Sequence, residues 1–361
     1  RPGNPFTVSN MNQSNELGSC PNVVMLLKRY YLPSMYVIIF TVGLLGNVTS
    51  IIIYTVKIRP WKSWNLIMLN LALADLLYVF SLPFLAYYYI IDEDWTLGTF
   101  MCRFVRFSFH FNLYGSILFL TCLSIFRYVV VVYPLKVDIH RKRWGSLACL
   151  IVWVISAVEI LPMFTMFKLQ ENKNLTTCPD FASQDPVLQI WYYTWVLTVL
   201  GYLVPLAVVS FCYSRIVKVL SKGPETHSLH RMRARRLTVL ILVVFVVCFM
   251  PFHILRTARL ATRIWPRSCT VTDWVHAMYI ISRPVAGLNT FFNLALYTLA
   301  GDKFQQAFVS MFNCNYCVSK IKSLLAVPAI SSVTATSPQM KPADTSKTPS
   351  SSKPHTGQQN G

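Results

Sequence analysis

The sequence predicts an all-α membrane protein: a bundle of seven transmembrane helices followed by a short amphipathic helix along the membrane surface. Composition is the first indication, because 54% of the 361 residues are hydrophobic and only 13% charged, with a mean hydropathy of +0.46, whereas soluble domains run near a quarter charged. The second is the presence of seven long apolar stretches, about 33–57, 65–91, 103–132, 146–167, 191–219, 236–261 and 272–299. Each can cross a hydrocarbon core of about 30 Å, which takes roughly 20 helical residues at about 1.5 Å per residue. The third is the shortness of most intervening gaps, which leaves little room for a soluble domain between them. A formal charge of +19 therefore belongs to a chain in contact with lipid, and no nucleic-acid partner is expected. Ten cysteines in 361 residues are too few for a disulfide scaffold.

Taken in order, residues 1–32 form a leading extracellular segment, 33–299 the bundle, 300–317 the amphipathic juxtamembrane helix and 318–361 a cytoplasmic tail. The chain opens on Arg1 rather than Met, which leaves room for residues ahead of it. The first apolar stretch starts too late, and lacks the small-residue cleavage site, to be a signal peptide. Three cues orient the bundle. Asn12 and Asn174 sit in glycosylation sequons and should face outside, while Asn47-Val-Thr lies within the first span and is set aside. Cys20, Cys102, Cys178 and Cys269 fall on that same side, where disulfides persist. Lys57, Arg59 and Lys62, then Lys136, Arg141, Lys142 and Arg143, then Lys218, Lys222, Arg231, Arg233, Arg235 and Arg236 fill the opposite loops, as the positive-inside rule requires. An extracellular N-terminus, a cytoplasmic C-terminus and a plasma-membrane location follow as expectations. The tail after about residue 318 is rich in Ser, Thr, Pro, Lys and Gln and buries too little apolar surface to offset its chain entropy.

Positive charge on the outer half is less expected, yet Arg106, Arg256, Arg259, Arg263, Arg267 and Arg283 all belong there. A guanidinium in a span costs on the order of 3 kcal/mol on insertion scales unless paired, solvated or lining a cavity. The acids nearby, Asp92, Glu93, Asp94, Asp180, Asp185 and Asp273, are in or near loops. This pattern suits a hydrated outer pocket completed by a small anion. Arg106, His110 and Tyr114 recur at four-residue steps on one face of the third span, and His253 lies close to Arg256 on the sixth. For Arg259, Arg263 and Arg267, snorkelling or solvation is the expectation, and Lys28 and Arg29 are placed at the headgroups. Tyr87, Tyr88 and Tyr89 belong either to the interfacial belt or to the pocket wall, with Tyr89 as the candidate contact. Asp75 is a lone carboxylate near mid-membrane; Ser116, Asn289 and Asn293 supply oxygens around it, a composition that suits a sodium ion, the alternative being a protonated acid in a hydrogen-bonded network with Asn47. No metal-ligand cluster or nucleophile–base pair suggests an enzyme.

Seven motifs then occur in order, one per span: Gly46-Asn47, Leu71-Ala-Leu-Ala-Asp75, Cys102 through Arg127-Tyr128, Trp153, Pro205, Phe245-x-x-Cys248-Phe249-x-Pro251, and Asn293-Leu-Ala-Leu-Tyr297. With these the chain resembles the rhodopsin-like (class A) G-protein-coupled receptors over about residues 30–315. Within that class Arg59-Pro-Trp-Lys, Phe111-Asn-Leu-Tyr114 and Pro251-Phe-His-Ile-Leu-Arg256 resemble the oxoglutarate receptors of the purinergic-like branch, and Cys178-Pro-Asp-Phe-Ala-Ser resembles the succinate receptors. Phe126 stands where an acid usually adjoins Arg127, and Arg231 where some members carry an acid, so the usual ionic restraint on Arg127 is not expected. Phe249 replaces a common Trp, and Leu294 a common Pro.

The resemblance implies carboxylate binding at Arg106, His110, Arg256 and Arg283, disulfides Cys102–Cys178 and Cys20–Cys269, and coupling to a heterotrimeric G protein of the Gq or Gi class through Arg127, Tyr128 and Tyr297. It implies a small anionic metabolite as ligand: a dicarboxylate, with 2-oxoglutarate ahead of succinate and with a nucleotide or cysteinyl leukotriene as alternatives. Receptor kinases and arrestin are expected on the tail, and Cys314 and Cys317, beside the membrane, are palmitoylation candidates. A dicarboxylate carrier is the rival of a different class, since arginines in a membrane pocket serve transport too; a retinal pigment is disfavoured because the seventh span has no lysine.

Overall fold

The computed structural model describes residues 23–133, 142–172, 175–221, 228–265, 267–300 and 302–312. Asn12, Asn174, Cys20, Cys314, Cys317 and the tail from 318 lie outside them. The expected helices are present: α1 Val23–Lys57, α2 Ser63–Ile90, α3 Gly98–Val132, α4 Lys142–Met166, α5 Val187–Leu220, and α6, residues 228–264. The seventh span consists of α7 Cys269–Gly287 and α8 Asn289–Ala300, and α9 Asp302–Phe312 follows. Among the described residues six helices are long and apolar enough to cross a membrane. The seventh span differs because it is interrupted at Leu288 and its first piece carries Asp273, His276 and Arg283. Helix begins at Val23, ahead of the expected boundary at 33. Its first turns pack against α7, and Lys28 and Arg29 pair with Glu93 (3.0 Å) and Asp92 (3.5 Å). These two cations therefore meet the acids of the α2–α3 turn.

Proline sets the shape of three spans. Widened π-helical turns occupy 27–31, 199–203 and 245–249, and each ends two residues before a proline, Pro33, Pro205 and Pro251. A proline has no N–H to give to the preceding turn, and the wider turn takes up the freed carbonyls.

Close packing fixes the helices to one another. Gly145 N donates to Ser63 Oγ (3.1 Å), and a Cβ on Gly145 would stand 2.5 Å from Ser63 Cα. Trp153 Nε1 donates to Asn70 Oδ1 (2.8 Å), so α4 is held to α2 at two levels. α3 runs through the core, its residues Leu113, Ile117, Phe119, Leu120 and Leu123 buried among α2, α4, α5 and α6. Cys149, Cys212 and Cys248 are buried and Cys122 half-buried, as small hydrophobes.

One end of the bundle carries a disulfide between Cys102 at the start of α3 and Cys178. The segment containing Cys178 forms an antiparallel hairpin, β1 Gln170–Asn172 with β2 Leu175–Thr177, in the register Gln170 opposite Thr177, then a short 3-10 turn at Phe181–Ser183. Arg263 on α6 donates to the carbonyls of Ala182 (2.9 Å) and Gln184 (2.8 Å) and pairs with Asp185 (2.9 Å). Arg263 is thus neither snorkelling nor free in solvent: it fastens this loop to α6.

Candidate functional site

The predicted ligand residues occupy the disulfide-bearing end. The arginines are buried rather than turned to lipid: Arg106 is 5%, Arg256 0% and Arg283 3% exposed. They form two groups, one above the other along α3.

The first group surrounds a cavity lined by Arg106, His110, Arg283, Asp180, Tyr36, Tyr78, Tyr279, Phe109 and Leu85. Here Tyr89 accepts from Arg106 Nη2 (3.4 Å) and Arg283 Nη1 (3.3 Å). Arg106 also donates to the Cys178 carbonyl. Of the three tyrosines at the end of α2, Tyr87 is exposed and Tyr88 and Tyr89 are buried, so the run is divided between the two expected settings. Asp180 pairs with Arg283 (3.4 Å). Burial raises the Asp180 carboxyl, but Arg283 and then Arg106 outweigh burial and hold it well below the usual carboxylate range. In the sequence Asp180 is a loop residue with nothing beside it to tie it to an arginine. The signal that places it is covalent: Arg106 lies four residues past Cys102 and Asp180 two past Cys178, so the disulfide brings the acid over the guanidiniums.

The second group lies deeper. Arg256 Nη2 contacts Thr198 Oγ1 and His253 Nδ1, both at 3.3 Å, and its guanidinium stands 5.2 Å from the Phe252 ring and 6.0 Å from that of Tyr114. His253 stacks on Tyr202 (4.5 Å) and meets Tyr114 edge-on (5.7 Å). His110 lies between the groups, its ring 6.3 Å from Phe252 and its Nδ1 3.0 Å from the Arg106 carbonyl.

Several donors in both groups are unused. Arg106 Nε, Arg283 Nε and Nη2, and Arg256 Nε and Nη1 are buried without a hydrogen-bond partner among the described residues. A buried donor left unpaired costs about 1–3 kcal/mol, more when charged, so these five nitrogens, three in the first group and two in the second, call for acceptors. In the lining of the cavity one acid, Asp180, stands against two guanidiniums, Arg106 and Arg283, so the excess there is positive.

Near the bundle centre Asp75 accepts from Asn112 Nδ2 and Asn293 Nδ2, each at 2.9 Å. Asn112 was missed in the sequence because an asparagine among apolar residues of α3 gives no sign of which helix it faces. Asn293 is where the reading placed it. Ser116 Oγ and Asn289 Oδ1 have no hydrogen-bond partner among the described residues, and Asn47 Nδ2 donates to Gly43 of its own helix (2.9 Å) rather than to the carboxylate.

At the opposite end the Arg127 guanidinium lies 4.4 Å over the Trp64 ring. Tyr128 packs on Phe211 (5.9 Å) and on Tyr133. Tyr297 is buried against Tyr54 (5.9 Å) and Phe304 (6.1 Å), which ties the end of α8 to α1 and α9. Cys269 opens α7; its expected partner Cys20 is outside the described residues.

A proline-bent seven-span bundle whose disulfide-tied end gathers buried guanidiniums defines a membrane receptor. The model of the 7 transmembrane receptor (rhodopsin family) matches residues 9–297, and the chain belongs to that family. It is 48% identical over 305 residues to 2-oxoglutarate receptor 1 of Mus musculus, covering 84% of this chain and 90% of that protein. It is 49% identical over 299 residues to the same receptor of Rattus norvegicus (82% and 89%). It is also 40% identical over 282 residues to P2Y purinoceptor 1 of Mus musculus (77% and 76%). The chain is accordingly a multi-pass plasma-membrane receptor and not an enzyme, with a small-molecule ligand and a heterotrimeric G protein as its partners.

Proposed function

We propose that the chain senses a small extracellular dicarboxylate, 2-oxoglutarate ahead of succinate, and passes the signal to Gq- or Gi-class G proteins. The observation that carries this reading is the pair of arginine groups with unused donors on either side of His110. Arg106 and Tyr114 are eight residues apart, about 12 Å along the helix, and Arg256 lies over Tyr114. A five-carbon diacid places its carboxyl carbons about 5 Å apart, and a guanidinium–carboxylate contact adds about 4 Å at each end, which matches that spacing. The names of the mouse and rat relatives point to the same ligand. A nucleotide is the second reading, favoured by the purinoceptor relative, but it would have to fit its base as well as its phosphates beneath Asp180.

On this reading the disulfide end faces outside. The acid replaces Asp180 on Arg283, spans to Arg256 and draws α3, α6 and α7 together. α6 then swings about the π turn and Pro251, and the other end opens a groove at Arg127, Tyr128 and Tyr297 for the G protein. The ligand shifts this equilibrium only by its difference in affinity for the two forms. Asp75 with the unused oxygens of Ser116, Asn289 and Asn293 is a donor set that fits a sodium ion, which would hold α2, α3 and α8 in the resting arrangement. Asn12 and Asn174 would carry glycans, Cys314 and Cys317 palmitate, and the tail kinase sites for arrestin.

Calcium and cAMP responses of cells expressing the chain, against carboxylates, nucleotides and lipids, test the assignment. A response to short diacids with none to nucleotides supports it; the reverse overturns it.

A further inference from the structure

His110 sits where the middle of a bound diacid would lie, and its hydrogen bonding fixes what that middle should offer. Its Nδ1 is 3.0 Å from the carbonyl oxygen of Arg106, one turn earlier on α3. A carbonyl can only accept, so Nδ1 carries the hydrogen, and in the uncharged ring Nε2 holds a bare lone pair. That Nε2 is buried and has no partner among the described residues. Phe109, Phe167, Phe181 and Phe252 surround the ring at 5.0, 6.1, 5.7 and 6.3 Å, and none of these side chains can donate an O–H or N–H. His253 has the opposite polarity: its Nδ1 faces Arg256 Nη2 (3.3 Å), which can only donate, so there Nε2 carries the hydrogen.

We propose that His110 is a specificity-determining residue that presents a hydrogen-bond acceptor between the two guanidinium groups. Among diacids of equal length the site then prefers those bearing a hydroxyl between their carboxylates. This rests on the dicarboxylate reading above and goes beyond it by naming the ligand's third polar contact: in place of the carboxylate that the resemblance implies at His110, a bare lone pair there calls for a hydroxyl. The hydroxyl donates to Nε2 and satisfies a buried acceptor; a methylene leaves Nε2 unpaired; an oxo group, which only accepts, gains nothing from His110. Sites built around a buried polar group reject analogues that cannot pair with it far more strongly than apolar pockets distinguish shapes.

The test uses the full chain in cells and three five-carbon probes: glutarate, 2-oxoglutarate and 2-hydroxyglutarate in both enantiomers. On the wild type one enantiomer of the hydroxy acid is expected to be about tenfold more potent than glutarate, equivalent to about 1.4 kcal/mol. In His110→Phe, matched for surface expression, that ratio falls to about one, and His110→Gln, whose amide oxygen can accept, restores part of it. Equal potency of glutarate and both hydroxy enantiomers on the wild type overturns the proposal without any variant, as does a hydroxyl advantage that survives in His110→Phe. Responses to all probes without discrimination sink this inference alone, whereas silence toward every diacid removes the dicarboxylate reading with it.

Discussion

Arg256 is the residue on which the proposed recognition depends most. It is fully buried, and two of its nitrogens have no partner among the described residues. Arg256→Ala should abolish the diacid response while cell-surface staining stays near wild type; retained potency would remove the deeper half of the site. Asp180 acts in the other sense, holding Arg283 at 3.4 Å until a ligand carboxylate takes its place. Asp180→Asn should raise diacid potency by about tenfold, the scale of one charge-assisted hydrogen bond, in dose–response curves. Its carboxyl is held below the ordinary value, so its contribution to stability is complete above about pH 4 and fades as pH falls below that. The difference in melting temperature between wild type and Asp180→Asn should therefore be flat from about pH 8 to 5 and shrink in stronger acid. At this scale the sequence showed what one helix face can show. Arg106, His110 and Tyr114 were legible from their four-residue spacing, but Asp180, Asn112 and the loop-fastening role of Arg263 arise between segments distant in the chain.

The helices were the most legible elements, because the thickness of a bilayer dictates an apolar length that composition reveals directly. Their ends were less so: α1 is already helical at Val23, the first described residue, and its Lys28 and Arg29 find acids on the α2–α3 turn, a contact no hydropathy window contains. The break at Leu288 was not foreseen either; Pro284 and Gly287 precede it, but proline alone does not say whether a span bends or breaks. Gly145 permits the close approach of α4 to α2, since a Cβ there would meet Ser63 backbone atoms. Gly145→Ala should cost about 1–3 kcal/mol as overpacking, read as a lower melting temperature of the purified receptor. Cys102→Ser should cost about 2–5 kcal/mol. It should also weaken diacid responses even where the protein reaches the surface, because Asp180 and the Cys178 carbonyl are then no longer held over Arg106.

For the whole molecule, charge and apolar length acquire meaning together. The basic excess of the sequence belongs partly to loops at one end of the bundle and partly to guanidiniums buried near the other, where they are gathered rather than dispersed. Family membership accounts for seven spans and for signalling through a G protein; the ligand preference proposed above comes from the arrangement around His110. The central claim is that these guanidiniums form one site for a small diacid. Equilibrium binding of labelled 2-oxoglutarate to the purified chain tests it most directly, with wild type and Arg256→Ala measured side by side. The account predicts saturable micromolar binding, displaced by succinate and weakened at least about a hundredfold in the variant, the loss expected for a buried charged contact. Equal binding by the two proteins, or none by the wild type, would contradict it.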